Sequence, residues 1–230
     1  MASTGTYNYA PSTGELVIAA FRRIQVHRAE IVTSYLADAA TELNLMQVQW
    51  ANLGPLLWTV ELLTNNMIAG TATYTVPSNV VMMLDVYVST TNGTGAFSDR
   101  IISPLSRTEY AGMPNKTSQG SPTSFWFDRV VPQQTVTLWP VPDGSEPSFS
   151  YYAFTQMQDA AMTNAATPQT PYLALDAYVA GLAHRLARIY KPELEAARET
   201  DAAKALNTMF SQLVENVPLY IAPTTTSYWR

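Results

Sequence analysis

Residues 103–144 constrain the fold more than any other part of this chain, because proline interrupts them throughout. Proline fixes φ and cannot donate a hydrogen bond within a sheet. The runs between the prolines are therefore predicted to be short edge or hairpin strands. Two of these runs, residues 123–131 and 135–141, alternate with a period of two. Alternation bounded by proline and glycine predicts a β-hairpin.

Helical periodicity marks both ends of the chain, and strand periodicity marks its middle. Apolar residues recur every three or four positions between Val32 and Leu53 and again between Tyr172 and Ile189, which predicts amphipathic helices. Short runs around residues 58–63, 72–76, 84–89 and 149–154 alternate instead, as strands with one buried face do. We therefore predict an α+β protein. Its N- and C-terminal helices form one helical bundle, and an antiparallel β subdomain is inserted between them.

The same patterns divide the chain into four segments. We predict N-terminal helices of the bundle in residues 1–55 and an antiparallel β subdomain with turn-rich loops in residues 56–155. A C-terminal helix pair follows in residues 156–217, and an extended arm in residues 218–230. The arm carries Tyr220, Ile221, Tyr228 and Trp229. Large aromatic side chains favour burial, so the arm is expected to dock onto a partner. The alternative is that it folds back onto its own bundle.

The composition favours burial against other protein surfaces. Only 13% of the residues are charged, against about 25% in a typical soluble domain. The alternative is a monomer with a neutral surface. The net charge of −5 and the three lysines argue against tight binding of nucleic acid, which needs clustered cations. The absence of cysteine and the presence of only two histidines argue against a metal site.

Neither a signal peptide nor a membrane helix is expected from the sequence. The first residues lack a positively charged region followed by an apolar one. No apolar run approaches the ~20 residues that a membrane helix needs. We also expect no cofactor.

The order of motifs in the proline-rich stretch resembles the head-to-tail adaptor proteins of short-tailed phages, also called tail accessory or packaged-DNA-stabilisation proteins. The motifs are PLSRxEYxxxPNK, then GxPxxxxxDR, then LWPVPD. The resemblance covers most of the chain. The residues that carry it are Pro104, Ser106, Arg107, Glu109, Tyr110, Pro114, Asn115, Lys116, Gly120, Pro122, Asp128, Arg129, Trp139, Pro140, Pro142 and Asp143.

This resemblance implies a structural protein of the virion neck, made in the host cytoplasm and without enzymatic activity. Such adaptors form a ring, typically a dodecamer, between the portal protein and the tail nozzle. The ring seals or lines the channel through which genomic DNA passes without specific binding. The helical part is expected to meet the portal and the β part to face the tail, with no contact to a membrane.

Three groups of candidate site residues follow. The portal-binding arm is carried over from the resemblance and comprises Pro218, Tyr220, Ile221, Tyr228, Trp229 and Arg230. The tail-facing loops are predicted at Asn92, Gly93, Asn115, Lys116 and Gly120. A structural motif is expected to hold the turns together by ion pairs and backbone hydrogen bonds, and it comprises Pro104, Arg107, Glu109, Tyr110, Asp128, Arg129 and Trp139.

Two other functions remain open at this point. A tail nozzle or tube protein would share the low charge and the many β runs. A virion-associated peptidoglycan hydrolase would need two carboxylates in one pocket, and the candidates are Glu61, Asp85, Glu109 and Asp128. No pattern in the sequence places any two of these together. The chain also lacks the sequence motifs of serine hydrolases, P-loop proteins and zinc proteases.

Overall fold

The computed structural model describes residues 5, 9–54, 56–91, 97–160 and 166–213. Over this part the protein is α+β, as predicted, with five α-helices and a seven-stranded curled sheet. The helices are α1 (Thr13–Arg23), α2 (Thr33–Leu53), α3 (Arg107–Gly112), α4 (Leu175–Tyr190) and α5 (Glu195–Gln212). The strands are β1 (Val60–Asn66), β2 (Thr73–Thr75), β3 (Val80–Thr91), β4 (Phe97–Pro104), β5 (Ser124–Asp128), β6 (Thr135–Trp139) and β7 (Ser148–Thr155).

The chain separates into two compact units. The helical unit comprises residues 1–39, 163–166 and 170–230, and the sheet unit comprises residues 40–162 and 167–169. The four segments predicted from the sequence stay predictions, as does the packing of the terminal helices into one bundle. Among the helices in the described part, none is both long and apolar enough to span a bilayer.

In the helical unit, α4 packs against both α1 and α5. Helix α1 begins with a capping box: Ser12 accepts a hydrogen bond from the Glu15 N–H, and the Glu15 carboxylate accepts one from the Ser12 N–H. This exchange satisfies two of the N–H groups left free at a helix start. An aromatic cluster joins the elements, since the Tyr35 ring lies 4.2 Å from that of Tyr190 and 5.8 Å from that of Phe21.

The predicted apolar stripe of α2 is buried only along its middle. Ala39, Leu43, Met46 and Trp50 are buried, whereas Leu53 at the end is exposed. The start predicted for the penultimate helix is wrong by one turn. Pro171 precedes a short 3₁₀ turn, Tyr172–Ala174, and α4 begins only at Leu175.

The strands of the sheet lie in the order β1-β7-β3-β4-β5-β6-β2. All neighbours are antiparallel except β4 and β5, which pair in parallel at Ser103 with Ser124 and at Pro104 with Phe125. The prediction of a wholly antiparallel subdomain is therefore wrong at this pair. The physical reason is the connection: α3 and the turns around it form a crossover that returns the chain in the same direction, as parallel neighbours require.

The predicted β-hairpin is confirmed as β5 and β6, with Phe125 opposite Leu138. Both side chains are buried in the sheet core together with Val86, Val88, Ile102, Val136, Phe149, Tyr151 and Ala153. The alternating run at residues 58–63 becomes β1 only from Val60 onward. Leu62 is 50% exposed, whereas Leu63 packs against the core. The 3₁₀ turn Leu57–Thr59 takes up residues that the sequence assigns to the strand, so the strand starts at Val60.

Candidate functional site

The short helix α3 is held at its start by Ser106 together with Glu109 of the predicted structural motif. The Glu109 carboxylate accepts a hydrogen bond from the Ser106 N–H at 2.6 Å, and the Ser106 hydroxyl accepts one from the Glu109 N–H at 3.2 Å. Hydrogen bonding to the Ser106 N–H, and to a lesser extent to the Ser106 side chain, lowers the pKa of Glu109. The Glu109 side chain thus has a structural role in the helix cap.

Lys116 closes the other end of α3. Its ammonium donates to the carbonyl oxygens of Ala111 at 3.0 Å and Met113 at 3.3 Å, and lies 5.8 Å from the centre of the Tyr110 ring. The Tyr110 ring in turn stacks on Trp126 of β5, with 5.2 Å between the ring centres. A cation beside the last carbonyls of a helix is favourably placed. Lys116, which the sequence predicts to face the tail, therefore also stabilises the conformation of its own loop.

Asn115 ties this loop to the hairpin. Its side-chain oxygen accepts hydrogen bonds from the N–H and the hydroxyl of Thr117, and its backbone carbonyl accepts one from the indole N–H of Trp139 at 3.0 Å. Trp139 ends β6. The turn after α3 is therefore fixed to the sheet through a motif residue.

The remaining motif residues also lie around β5. Arg107 faces Asp128, with 3.6 Å between Nη2 and Oδ1, and the Arg129 guanidinium lies 5.9 Å from the centre of the Phe127 ring. The Arg107 side chain is largely exposed, so this pair stabilises the fold only weakly. Nearby, the N–H of Gly120, a predicted loop residue, donates to the Val141 carbonyl at 2.9 Å.

A second cluster escaped the sequence analysis and centres on Glu146, which is 2% exposed. Its carboxylate accepts hydrogen bonds from the hydroxyls of Ser121 and Ser145, and Arg100 Nη2 lies 3.6 Å from Oε1. Arg100 also donates to Ser121 and to the Pro122 carbonyl. The cluster joins β4 to two proline-bounded turns. No local pattern could reveal it, because its members are widely separated in the sequence.

The predicted portal-binding arm, Pro218, Tyr220, Ile221, Tyr228, Trp229 and Arg230, lies outside the described residues. The same holds for Asn92 and Gly93 in the connection between β3 and β4. Within the described ranges, no group of acidic or histidine side chains could hold a metal ion. Of the four carboxylates considered for glycoside hydrolysis, Glu109 caps α3 and Asp128 faces Arg107.

Exposed apolar side chains accompany these braced turns. Val131, in the connection between β5 and β6, is 85% exposed, and Val130 and Ile101 are exposed as well. Exposed apolar side chains on a rigid framework are typical of surfaces that bind other proteins. The exposed apolar side chains of the described sheet unit thus define a candidate protein-binding surface.

Comparison with known families agrees with this class of protein. A family described as SU10 adaptor protein matches residues 11–225. The chain therefore belongs to the SU10 adaptor protein family, which confirms the resemblance to phage head-to-tail adaptors. Membership makes it a phage adaptor protein, a structural component of the virion. No curated protein matches the chain.

Proposed function

We propose that this chain is the subunit of a ring that joins the portal to the tail nozzle, a dodecamer by analogy with the head-to-tail adaptors it resembles. The ring would seal or line the channel for genomic DNA. The observation that carries the proposal is the family match, which spans residues 11–225. An adaptor must contact proteins on two sides, and exposed surfaces of the helical unit and of the sheet unit could make these contacts.

Composition and exposure support contact with neighbouring copies. Charged residues make up only 13% of the chain, and large apolar side chains are exposed in both units, among them Tyr172 and Leu173 in the helical unit and Ile101 and Val131 in the sheet unit. Apolar surface of this kind gains free energy when a partner covers it. Repeated around a ring, modest contacts add up by avidity.

The two units are assigned different partners. We assign the terminal helices to a bundle that stacks side by side in the ring and meets the portal. The arm, residues 218–230, extends along the portal with Tyr220, Ile221, Tyr228 and Trp229 as anchors. The sheet unit faces the nozzle through Asn92, Gly93, Asn115, Lys116 and Gly120.

The charge of the chain suits a channel that DNA must pass. Its net charge is −5, and Lys116 is engaged with the carbonyls at the end of α3. Binding of nucleic acid requires cations that neutralise phosphates. A weakly negative lining would let DNA move without being held.

Deletion of residues 218–230 tests the assignment of the arm. We expect the full chain to co-elute with the portal protein in size-exclusion chromatography and the shortened chain to elute alone. Its circular dichroism spectrum should still show the folded content of helix and strand, because the deletion begins beyond α5. Portal binding that survives the deletion would contradict the assignment.

A matched control changes the arm without removing its anchors. Replacing Thr224, Thr225 and Thr226 by serine keeps every aromatic side chain and the length of the arm. This variant should bind the portal as the full chain does. Replacing Tyr220 and Trp229 by serine should weaken binding, because buried aromatic side chains dominate interface energies.

A further inference from the structure

The helical unit contains a groove lined in part by Tyr172 and Leu173, two of the exposed apolar residues named above. It has a volume of about 930 Å³ and lies between α1 on one side and the start of α4 on the other. Tyr9, Tyr172 and Leu173 line it and are exposed by 69%, 71% and 63%. Apolar side chains of this size gain free energy when a ligand covers them.

The charges that line the groove do not balance. Two carboxylates are present, but Asp176 pairs with Arg23 at 2.5 Å and Glu15 is held in the cap of α1. Arg22 and Arg28 also line the groove. Neither of them forms an ion pair with any residue in the described part of the chain. The groove therefore offers exposed apolar side chains together with three arginines against two carboxylates, a net charge of +1.

The chain leaves α5 beside this groove. The 3₁₀ turn Pro192–Leu194 reverses the chain between α4 and α5, and α5 packs against α4 and against the turn Tyr172–Ala174 that lines the groove. Near the end of α5, Thr208 lines a smaller hollow together with Arg23 and Asp176. Residues 214–230 follow α5 directly, so they start within a short distance of the groove.

We propose that the groove binds residues 214–230 of the same chain in the free subunit. The chemistry of this segment matches the groove: Glu215 stands two residues beyond Leu213, where it can pair with Arg22 or Arg28. Leu219, Tyr220 and Ile221 supply apolar side chains to cover Tyr172 and Leu173. This inference does not depend on the ring or on the portal. If the arm also binds the portal, the portal must take it from the groove.

Disulfide trapping in the full chain tests the proposal, because the chain contains no native cysteine. The test pair combines Ala19→Cys in the groove with Ala222→Cys in the arm. Neither substitution removes a side chain that the proposal uses for binding. The control pair is Ala197→Cys, exposed in the first turn of α5, with the same Ala222→Cys. Position 197 lies about 24 Å along α5 from its end. The arm can span about 30 Å to position 222, so both partners are within reach.

We expect the intrachain disulfide of the test pair to form at least about tenfold faster than that of the control pair, because binding raises the local concentration of the arm at the groove. The rates are measured in dilute protein by non-reducing gels and mass spectrometry. Arg22→Glu together with Arg28→Glu should slow the test pair to the rate of the control. Equal rates for the two pairs would overturn the proposal, and so would disulfides that form mainly between chains. The disulfide experiment does not involve the portal. A failure of the arm to bind the portal would therefore leave this proposal unaffected.

Discussion

At the scale of single residues, the turns of the sheet unit are held by side chains that serve the backbone. Glu109, Lys116 and Trp139 each hydrogen-bond to a backbone group of the turns or of α3. A buried or half-buried backbone group without a partner is costly, and irregular turns have few partners of their own. These side chains supply them. The motif residues that identify the family in the sequence therefore have a clear structural reason to be where they are.

The cap of α3 gives a first prediction. Ser106→Ala removes the hydroxyl that accepts from the Glu109 N–H and should lower the free energy of unfolding by about 1 kcal/mol. Ser106→Thr keeps a hydroxyl and should lose much less. Urea denaturation at neutral pH measures both. An alanine variant as stable as the original chain would show that the cap contributes nothing.

His184 gives a second prediction, on pH. Burial lowers its pKa, and the nearby Arg188 lowers it further, against smaller opposing effects of Glu199 and Glu195. The unfolded chain therefore binds a proton more readily than the folded one. Stability should fall as the pH drops below the ordinary pKa of histidine, about 6.5, through the lower folded value.

Replacement of His184 by glutamine removes this titration. Between about pH 7 and pH 5, the free energy of unfolding of the His184→Gln variant should fall less than that of the original chain. Chemical denaturation at several pH values gives both slopes. Identical slopes would contradict the assignment to His184.

At the scale of elements, two connections determine how the sheet is assembled. The crossover through α3 places β5 parallel to β4, and the Glu146 cluster fastens the turns before β5 and β7 to β4 through Arg100. Both features join segments that are distant in sequence. The sheet unit consequently depends on a buried carboxylate for the position of its turns.

A third prediction follows for Glu146. Glu146→Gln removes the charge that faces Arg100 and replaces one acceptor oxygen by a donor group, next to the hydroxyls of Ser121 and Ser145. A buried polar group left without its partners costs about 1–3 kcal/mol, and we expect a loss of stability of that size. Glu61→Gln, at an exposed position of β1, is the matched control and should change stability by less than about 0.5 kcal/mol. Equal effects of the two changes would argue against a structural role for the cluster.

The sequence predicts those elements whose signals are local. Apolar repeats identify α2 and α4, and alternation between prolines identifies the β5–β6 hairpin. β4 was not predicted, because its neighbour β5 is reached only through a crossover. The predicted run at residues 58–63 starts too early, because a 3₁₀ turn takes up the residues before Val60. Of the candidate site, the α3 motif was predicted, whereas the Glu146 cluster depends on contacts that no local pattern encodes.

At the scale of the whole molecule, membership of the SU10 adaptor protein family relates these features to one function, which is binding to other virion proteins. Exposed apolar side chains such as Val131 and the low content of charged residues leave surface for neighbours to cover. The proposed ring would use both. In the arrangement proposed above, the arm binds the groove in the free subunit and the portal in the assembled ring. The position of the arm would then distinguish the two states.

Electron microscopy of the portal, this protein and the nozzle assembled together tests the ring proposal most directly. We predict copies of the chain side by side in a closed ring between the other two proteins, around an open axial channel. Residues 218–230 of each copy should contact the portal. Single, separated copies, or a ring in which the Trp229 end of the chain makes no contact with the portal, would contradict the account.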